Sequence, residues 1–156
     1  MSDPGSDAPD VRIAPPLVYL AGLVIGWIVT FWLPTQIVSP SIAWLLGGIL
    51  VLCGVGLAAS ALFRFREAET TVRPDRAASS LVIEGPYRIT RNPMYVSLAA
   101  IYLGIAIGAQ SLWALLLLPL VLAIIQRCAI EREEAFLERR FGADYIGYKA
   151  RVRRWL

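Results

Sequence analysis

Residues 92–126, NPMYVSLAAIYLGIAIGAQSLWALLLLPLVLAIIQ, contain no charged side chain. A bilayer crossing takes about 20 apolar residues, so this stretch fits two helices only if it turns near its middle. The small and polar residues GAQS, 108–111, provide that turn. Each half then has about 16 apolar residues, slightly short for a crossing. We expect both helices to cross and to continue at their charged ends, beside Arg91 and Arg127; the alternative is a hairpin that enters without crossing.

A second uncharged stretch, residues 13–63, is too long for one crossing and about right for two. The segment LPTQIVSPS, 33–41, provides the connection. We expect one helix near Pro16–Leu33 and another near Ser41–Phe63. With a mean hydropathy of +0.60 and 57% hydrophobic residues, the chain is predicted to be an all-α polytopic membrane bundle of about four transmembrane helices.

The basic residues predict the orientation of this bundle. All fifteen lie in the amino-terminal tail, in residues 64–91 or after Gln126, and the two short connections carry none. The positive-inside rule therefore places both termini in the cytoplasm of a multi-pass membrane protein, which we expect in a bacterial inner membrane. The net charge of +3 comes from basic residues that flank apolar stretches. We therefore expect these residues to contact a membrane surface, with lipids and not nucleic acid as partners.

We divide the chain into three parts. Residues 1–12, rich in Asp, Pro, Gly and Ser, read as a disordered tail, and residues 13–63 as a transmembrane hairpin. Residues 64–156 form the presumptive functional core: a long ordered loop, the second hairpin and a carboxy-terminal amphipathic segment. That last segment has an apolar stripe at helical spacing, with a break expected at Gly142, and its flanking arginines predict interfacial cytoplasmic helices. The stripe consists of Leu137, Phe141, Tyr145, Tyr148, Val152 and Trp155.

Histidine is absent, which excludes a histidine base. Cys53 and Cys128 lie in different apolar segments without metal-ligand spacing, so neither a zinc site nor a disulfide is expected.

The segment GPYRITRNPMY, 85–95, offers an anion site. Asn92 is a favoured helix cap and Pro93 a favoured first helical residue, so RNPMY marks a helix start. Such a start presents free N–H groups and positive dipole charge, and the Arg91 guanidinium can clamp a carboxylate. The alternative is that Arg91 binds lipid phosphate.

Two carboxylates complete the candidate site. Glu133 and Glu134 follow the fourth helix, and paired acidic residues on a helix are usually solvated. In a tight bundle, however, they would face Arg91 across a small cleft. Four tyrosines could stack on a planar ligand or cover a cation there, although interfacial tyrosines are also ordinary membrane anchors. They are Tyr87, Tyr95, Tyr145 and Tyr148.

The strings LVIEGPYRITRNPMY (81–95) and EREEAFLERRFGADYIGYKARV (131–152) resemble the isoprenylcysteine carboxyl methyltransferase family and the related phospholipid methyltransferases. The resemblance covers about residues 70–156. It implies an integral membrane enzyme that binds S-adenosylmethionine between the first string, the hairpin and the EE helix, with no metal. The cofactor-contacting positions that it implies are Leu81, Val82, Tyr87, Arg91, Asn92, Pro93, Met94 and Glu133.

The resemblance also implies a lipophilic methyl acceptor entering from the bilayer, most simply a carboxylate. We assign its contacts to Tyr95, Arg127 and Glu134. Asn92 stands where eukaryotic members have histidine, and Ala129 stands where they have an arginine implicated in substrate binding. Either Arg127 or Arg132 takes the role of that arginine, or the substrate differs. Phospholipid N-methylation, an NADPH-dependent membrane reductase and a small transporter are the alternatives, and the last is disfavoured because the expected spans lack ionisable groups.

Overall fold

A computed structural model describes residues 14–67 and 81–156. Its elements are helical, apart from one isolated bridge between Thr90 and Arg153. The chain is therefore an all-α bundle, as the sequence predicts. In order, the elements are α1 (Pro15–Trp32), α2 (Pro40–Glu67), a 3₁₀ turn (Gly85–Arg88), α3 (Pro93–Gly108), α4 (Leu112–Ile125), a π turn (Gln126–Ile130), α5 (Glu131–Phe141) and α6 (Ala143–Arg151).

The first two helices begin and end close to the predicted limits, but they are not a paired hairpin. Helix α2 packs along α3, and α1 packs along α4. Helix α2 also continues to Glu67, so the boundary that we drew after residue 63 falls inside a helix. The predicted disordered tail and much of the predicted loop lie outside the described residues.

Helices α2 and α3 approach closely through small residues. A Cβ atom added at Gly47 would lie 2.6 Å from the Gly104 carbonyl oxygen, and one added at Gly54 would lie 2.8 Å from the Ser97 carbonyl oxygen. Because lipid provides no hydrophobic drive between helices, close backbone packing of this kind holds membrane bundles together.

The predicted turn between α3 and α4 occurs where GAQS placed it. Gln110 has a left-handed φ of 55°, and its carbonyl accepts a hydrogen bond of 2.6 Å from the Thr35 hydroxyl. Ser111 caps α4 by accepting from the Ala114 amide at 3.1 Å. This end of the bundle is therefore held together by polar contacts between the two connections.

Helix α4 does not stop at the charged boundary. It runs through the π turn into α5, giving one helix over Leu112–Phe141. Within residues 14–67 and 81–156, this helix, α1 and α2 are the three that are long and apolar enough to cross a membrane. Helix α3, with 16 residues, is about 24 Å long at 1.5 Å per residue, so its full crossing stays a prediction.

The carboxy-terminal segment breaks at Gly142, as predicted, with a φ of +50°. Part of its apolar stripe packs against the protein, and the predicted position of these helices at the membrane surface stays a prediction. Tyr145 and Tyr148 are 1% and 4% exposed. The stripe therefore forms one wall of the polar end of the bundle.

Candidate functional site

A cavity of about 260 Å³ lies at the polar end of the bundle, near the lower limit of small-molecule sites, roughly 300–1,000 Å³. Its lining brings together both strings on which the family resemblance rests. All eight predicted cofactor residues line it, as do Tyr95 and Glu134 from the predicted substrate set. These eight are Leu81, Val82, Tyr87, Arg91, Asn92, Pro93, Met94 and Glu133.

The chain before α3 is held by the carboxy-terminal residues. The Arg91 amide donates to the Arg153 carbonyl at 2.8 Å, and the Thr90 hydroxyl donates to the Arg154 carbonyl at 3.0 Å. The 3₁₀ turn begins at Gly85, whose φ of +60° suits glycine. These contacts fix the backbone from which the Arg91 side chain enters the cavity.

Asn92 occupies the cap position, but its side chain does not cap the helix. Its Nδ2 instead donates to the Arg154 carbonyl at 3.0 Å. The prediction of side-chain capping was wrong, because an amide can donate to a distant carbonyl that a sequence-local rule does not consider. Asn92 therefore joins α3 to the carboxy terminus.

The amino terminus of α3 offers fewer free donors than predicted. Pro93 has no N–H, and the amides of Tyr95 and Val96 bind the Asn92 carbonyl at 3.0 and 3.1 Å. Among the described residues, Met94 carries the one first-turn amide without a hydrogen bond. The helix end thus contributes its dipole and a single N–H group.

Arg91 is the main cationic group facing the cavity. Its side chain is 10% exposed, and Nη1 lies 3.3 Å from Glu134 Oε1. Neither Nε nor Nη1 has a hydrogen-bond partner in the described part of the chain. Because buried N–H groups without hydrogen-bond partners are costly, the two unpartnered nitrogens favour an anionic ligand group beside Arg91.

Glu134 is held mainly by a second arginine. Arg154 donates to its two carboxylate oxygens, from Nε at 3.1 Å and from Nη2 at 2.7 Å. The hydrogen bond with Glu134 is the largest influence on Arg154 and raises its pKa, so this side chain stays charged. Glu134 therefore neutralises arginines and is not an open group for a substrate.

Glu133 faces the cavity and accepts a hydrogen bond of 2.6 Å from the Tyr95 hydroxyl. The π turn that precedes α5 accounts for its direction. One additional residue in a helix rotates everything after it by about 100°, and beyond this turn both Glu133 and Glu134 line the cavity. Sequence reasoning expected the cleft between these groups but not the π turn.

Aromatic side chains form another part of the cavity lining. The Tyr148 hydroxyl donates to the Tyr87 carbonyl at 2.7 Å, and the Phe65 ring packs edge-on against Tyr87 with ring centroids 5.4 Å apart. Burial raises the pKa of Tyr145 to about 12, although the neighbouring Arg91 acts in the opposite direction. Burial likewise raises the pKa of Tyr87 and Tyr148. These phenols are therefore neutral and can serve as hydrogen-bond donors and stacking surfaces.

Arg127 lies elsewhere. It is exposed and lines a separate groove of about 540 Å³ with Gln126 and Trp155. Ala129 is 2% exposed and turned into the core, so the helix places Arg127 on its outer face. The predicted substrate role of Arg127 at the Arg91 site is thus not supported by its position.

Arg154 was not predicted as a site residue, because the terminal RVRR run is typical of an ordinary lipid-facing basic patch. Pro15 and Pro16, which line the cavity from the start of α1, were not predicted either. These residues belong to no local motif. They are also too far from Arg91 along the chain for helical spacing to relate them to it.

A bundle of long apolar helices with a cavity at its charged end defines an integral membrane protein with a candidate ligand site. A family model described as phospholipid methyltransferase matches residues 42–144. The chain belongs to that family, within the wider class of membrane methyltransferases that includes the isoprenylcysteine enzymes. The match begins earlier and ends sooner than the region of resemblance, about 70–156, and it includes α2 from residue 42 onward, Arg91 and Glu133.

A protein of Haemophilus influenzae named as uncharacterized is 40% identical to the chain over 63 residues, which is 40% of this chain and 100% of that protein. No solved structure matches the chain. The general activity, methyl transfer at a membrane, follows from the family match.

Proposed function

We propose that the protein transfers a methyl group from S-adenosylmethionine to an amphiphilic acceptor that enters from the bilayer. The observation that carries the proposal is the buried Arg91 guanidinium, with Nε and Nη1 lacking hydrogen-bond partners among the described residues, on a cavity that Glu133 also lines. A cation and an anion facing one cavity match the carboxylate and the ammonium of the cofactor's amino-acid end.

In this proposal each side chain has a defined part. Arg91 and the Met94 amide hold the carboxylate, and Glu133, oriented by the Tyr95 hydroxyl, accepts from the ammonium or from a ribose hydroxyl. When bound, S-adenosylmethionine supplies an electrophilic methyl group on a sulfonium. The buried tyrosines exclude water from that group and offer ring faces to a cation. No side chain is assigned as an acid, a base or a nucleophile.

The acceptor that we favour is a carboxylate on a lipophilic molecule, as in isoprenylcysteine-type O-methylation. A carboxylate is already ionised at neutral pH, so the reaction needs positioning and no base. The apolar part of the cavity lining suits a greasy acceptor; it includes Pro15, Pro16, Leu98 and Leu137. The basic residues around this end of the bundle favour a cytoplasmic site in an inner membrane with both termini cytoplasmic.

Phospholipid N-methylation is the second candidate, and the description of the matching family favours it. An amine must lose a proton when it is methylated, and Glu133 is the carboxylate in the cavity that is not held by an arginine in the described structure. The two reactions leave different products, because base releases a methyl ester as methanol and leaves an N-methyl group intact.

The test is to incubate membranes containing the protein with S-adenosylmethionine labelled in its methyl group. We expect label in the lipid or protein fraction, reduced with Arg91→Ala at limiting S-adenosylmethionine, and release as methanol on base hydrolysis. Base-stable label in lipid would establish N-methylation instead. No transfer, together with binding of NADPH and not of S-adenosylhomocysteine by the purified protein, would refute methyl transfer and favour a reductase.

A further inference from the structure

Glu134 contacts two arginines in different ways. Arg154 donates two hydrogen bonds to its carboxylate, of 3.1 and 2.7 Å. Arg91 comes within 3.3 Å of the same group, but its Nε and Nη1 make no hydrogen bond among the described residues. The bidentate pair with Arg154 is the stronger type of contact, so Arg154 is the main partner of Glu134.

We propose that Arg154 is a positioning residue. Its two hydrogen bonds orient the Glu134 carboxylate so that Arg91 Nε and Nη1 make no hydrogen bond with it and stay open to an anionic ligand group, although Nη1 lies 3.3 Å from Glu134. This inference rests on the proposed function, in which that group is the cofactor's carboxylate. Arg154 lies outside residues 42–144, which the family model matches.

The physical argument concerns what Glu134 would do without Arg154. Its side chain is 6% exposed, and a buried carboxylate cannot remain unpaired at low cost. Arg91 is the other guanidinium that contacts it in the described chain. The carboxylate would therefore turn onto Arg91 and occupy the N–H groups that now face the cavity, and a ligand carboxylate would have to displace it.

Arg154 is well placed to act in this way. Its carbonyl accepts from Thr90 and from Asn92, both at 3.0 Å, and the indole of Trp155 donates to Gln126 at 3.1 Å. The carboxy-terminal residues are thus attached to the start of α3 and to the π turn. These hydrogen bonds fix the backbone of Arg154 between the chain that carries Arg91 and the helix that carries Glu134.

The binding test uses Arg154→Met, which keeps the apolar stem of the side chain but removes its charge. We expect S-adenosylhomocysteine to bind about 10-fold to 100-fold more weakly, the effect of losing one charged hydrogen bond. Adding Glu134→Gln to this variant should restore binding, since a neutral amide competes poorly for Arg91. Arg151→Met is the control, because that exposed side chain contacts its own helix. A loss that Glu134→Gln does not restore would overturn the proposal.

A second measurement needs no cofactor. Butanedione modifies accessible arginines, and mass spectrometry can follow Arg91 in the detergent-purified protein. We expect slower modification of Arg91 in Arg154→Met than in the wild type, and recovery in the double variant. Equal rates in all three proteins would refute the inference even if the wild type binds S-adenosylhomocysteine. The expected protection without any cofactor binding would instead refute the proposed function alone. If Arg154→Met does not fold, Arg154→Lys, with one point charge in place of a fork, should give smaller changes of the same sign.

Discussion

Arg91→Ala is the most direct test of the ligand site. In the structure Arg91 contributes two buried N–H groups without hydrogen-bond partners in the described chain, and a hydrogen bond to a charged group contributes about 1.5–3 kcal/mol. Removing the guanidinium should therefore weaken S-adenosylhomocysteine binding by about 10-fold to 150-fold. The fold should survive, because Glu134 keeps its two hydrogen bonds with Arg154. Calorimetric titration in detergent measures the first effect, and thermal unfolding measures the second.

A matched ligand makes this test specific to the carboxylate. Methylthioadenosine lacks the amino-acid end, so we expect Arg91→Ala to leave its affinity unchanged within about 2-fold, the scatter of energetically neutral contacts. Arg91→Lys should fall between the wild type and the alanine variant with the full ligand, since a point charge replaces a fork. Equal weakening of both ligands by Arg91→Ala would show that the guanidinium does not bind the carboxylate and would refute the reasoning.

Three further predictions concern single residues. Glu133→Gln should weaken S-adenosylhomocysteine binding about 10-fold by removing the charge that pairs with the ammonium, and unchanged affinity in titration would contradict that role. Asn92→Asp should lower the melting temperature as much as Asn92→Ala, because Asp caps helices but cannot donate to the Arg154 carbonyl. An unchanged melting temperature in Asn92→Asp would restore the capping interpretation. Gly47→Leu should destabilise the bundle by about 1–3 kcal/mol through overpacking against α3. Its control is Gly48→Leu, where an added Cβ meets nothing within 4 Å, and equal melting temperatures for the two would refute the packing argument.

Much of the fold follows from local properties of the chain. The absence of charge over residues 92–126 predicts two helices, GAQS predicts their turn, and Gly142 predicts the later break; all three occur. Helix pairing was not predictable, because any apolar helix can lie beside any other in lipid. The close contact of Gly47 with Gly104 selects α2 as the neighbour of α3, and it depends on backbone shape that a hydropathy pattern does not contain.

The candidate site shows the same division. The sequence by itself determined which residue types could act, with arginine, paired carboxylates and tyrosines at the charged ends of apolar helices and no histidine among them. It also predicted that Arg91 and Glu133 would share one site, since two adjoining helix ends must be neighbours, and both line the cavity. Only the tertiary structure decided their directions and pairing. The π turn rotates the carboxylates toward the cavity, and Arg154 returns from the end of the chain to take Glu134. Both effects join groups that are distant in sequence, and their energies depend on burial and distance, which exist only in the folded chain.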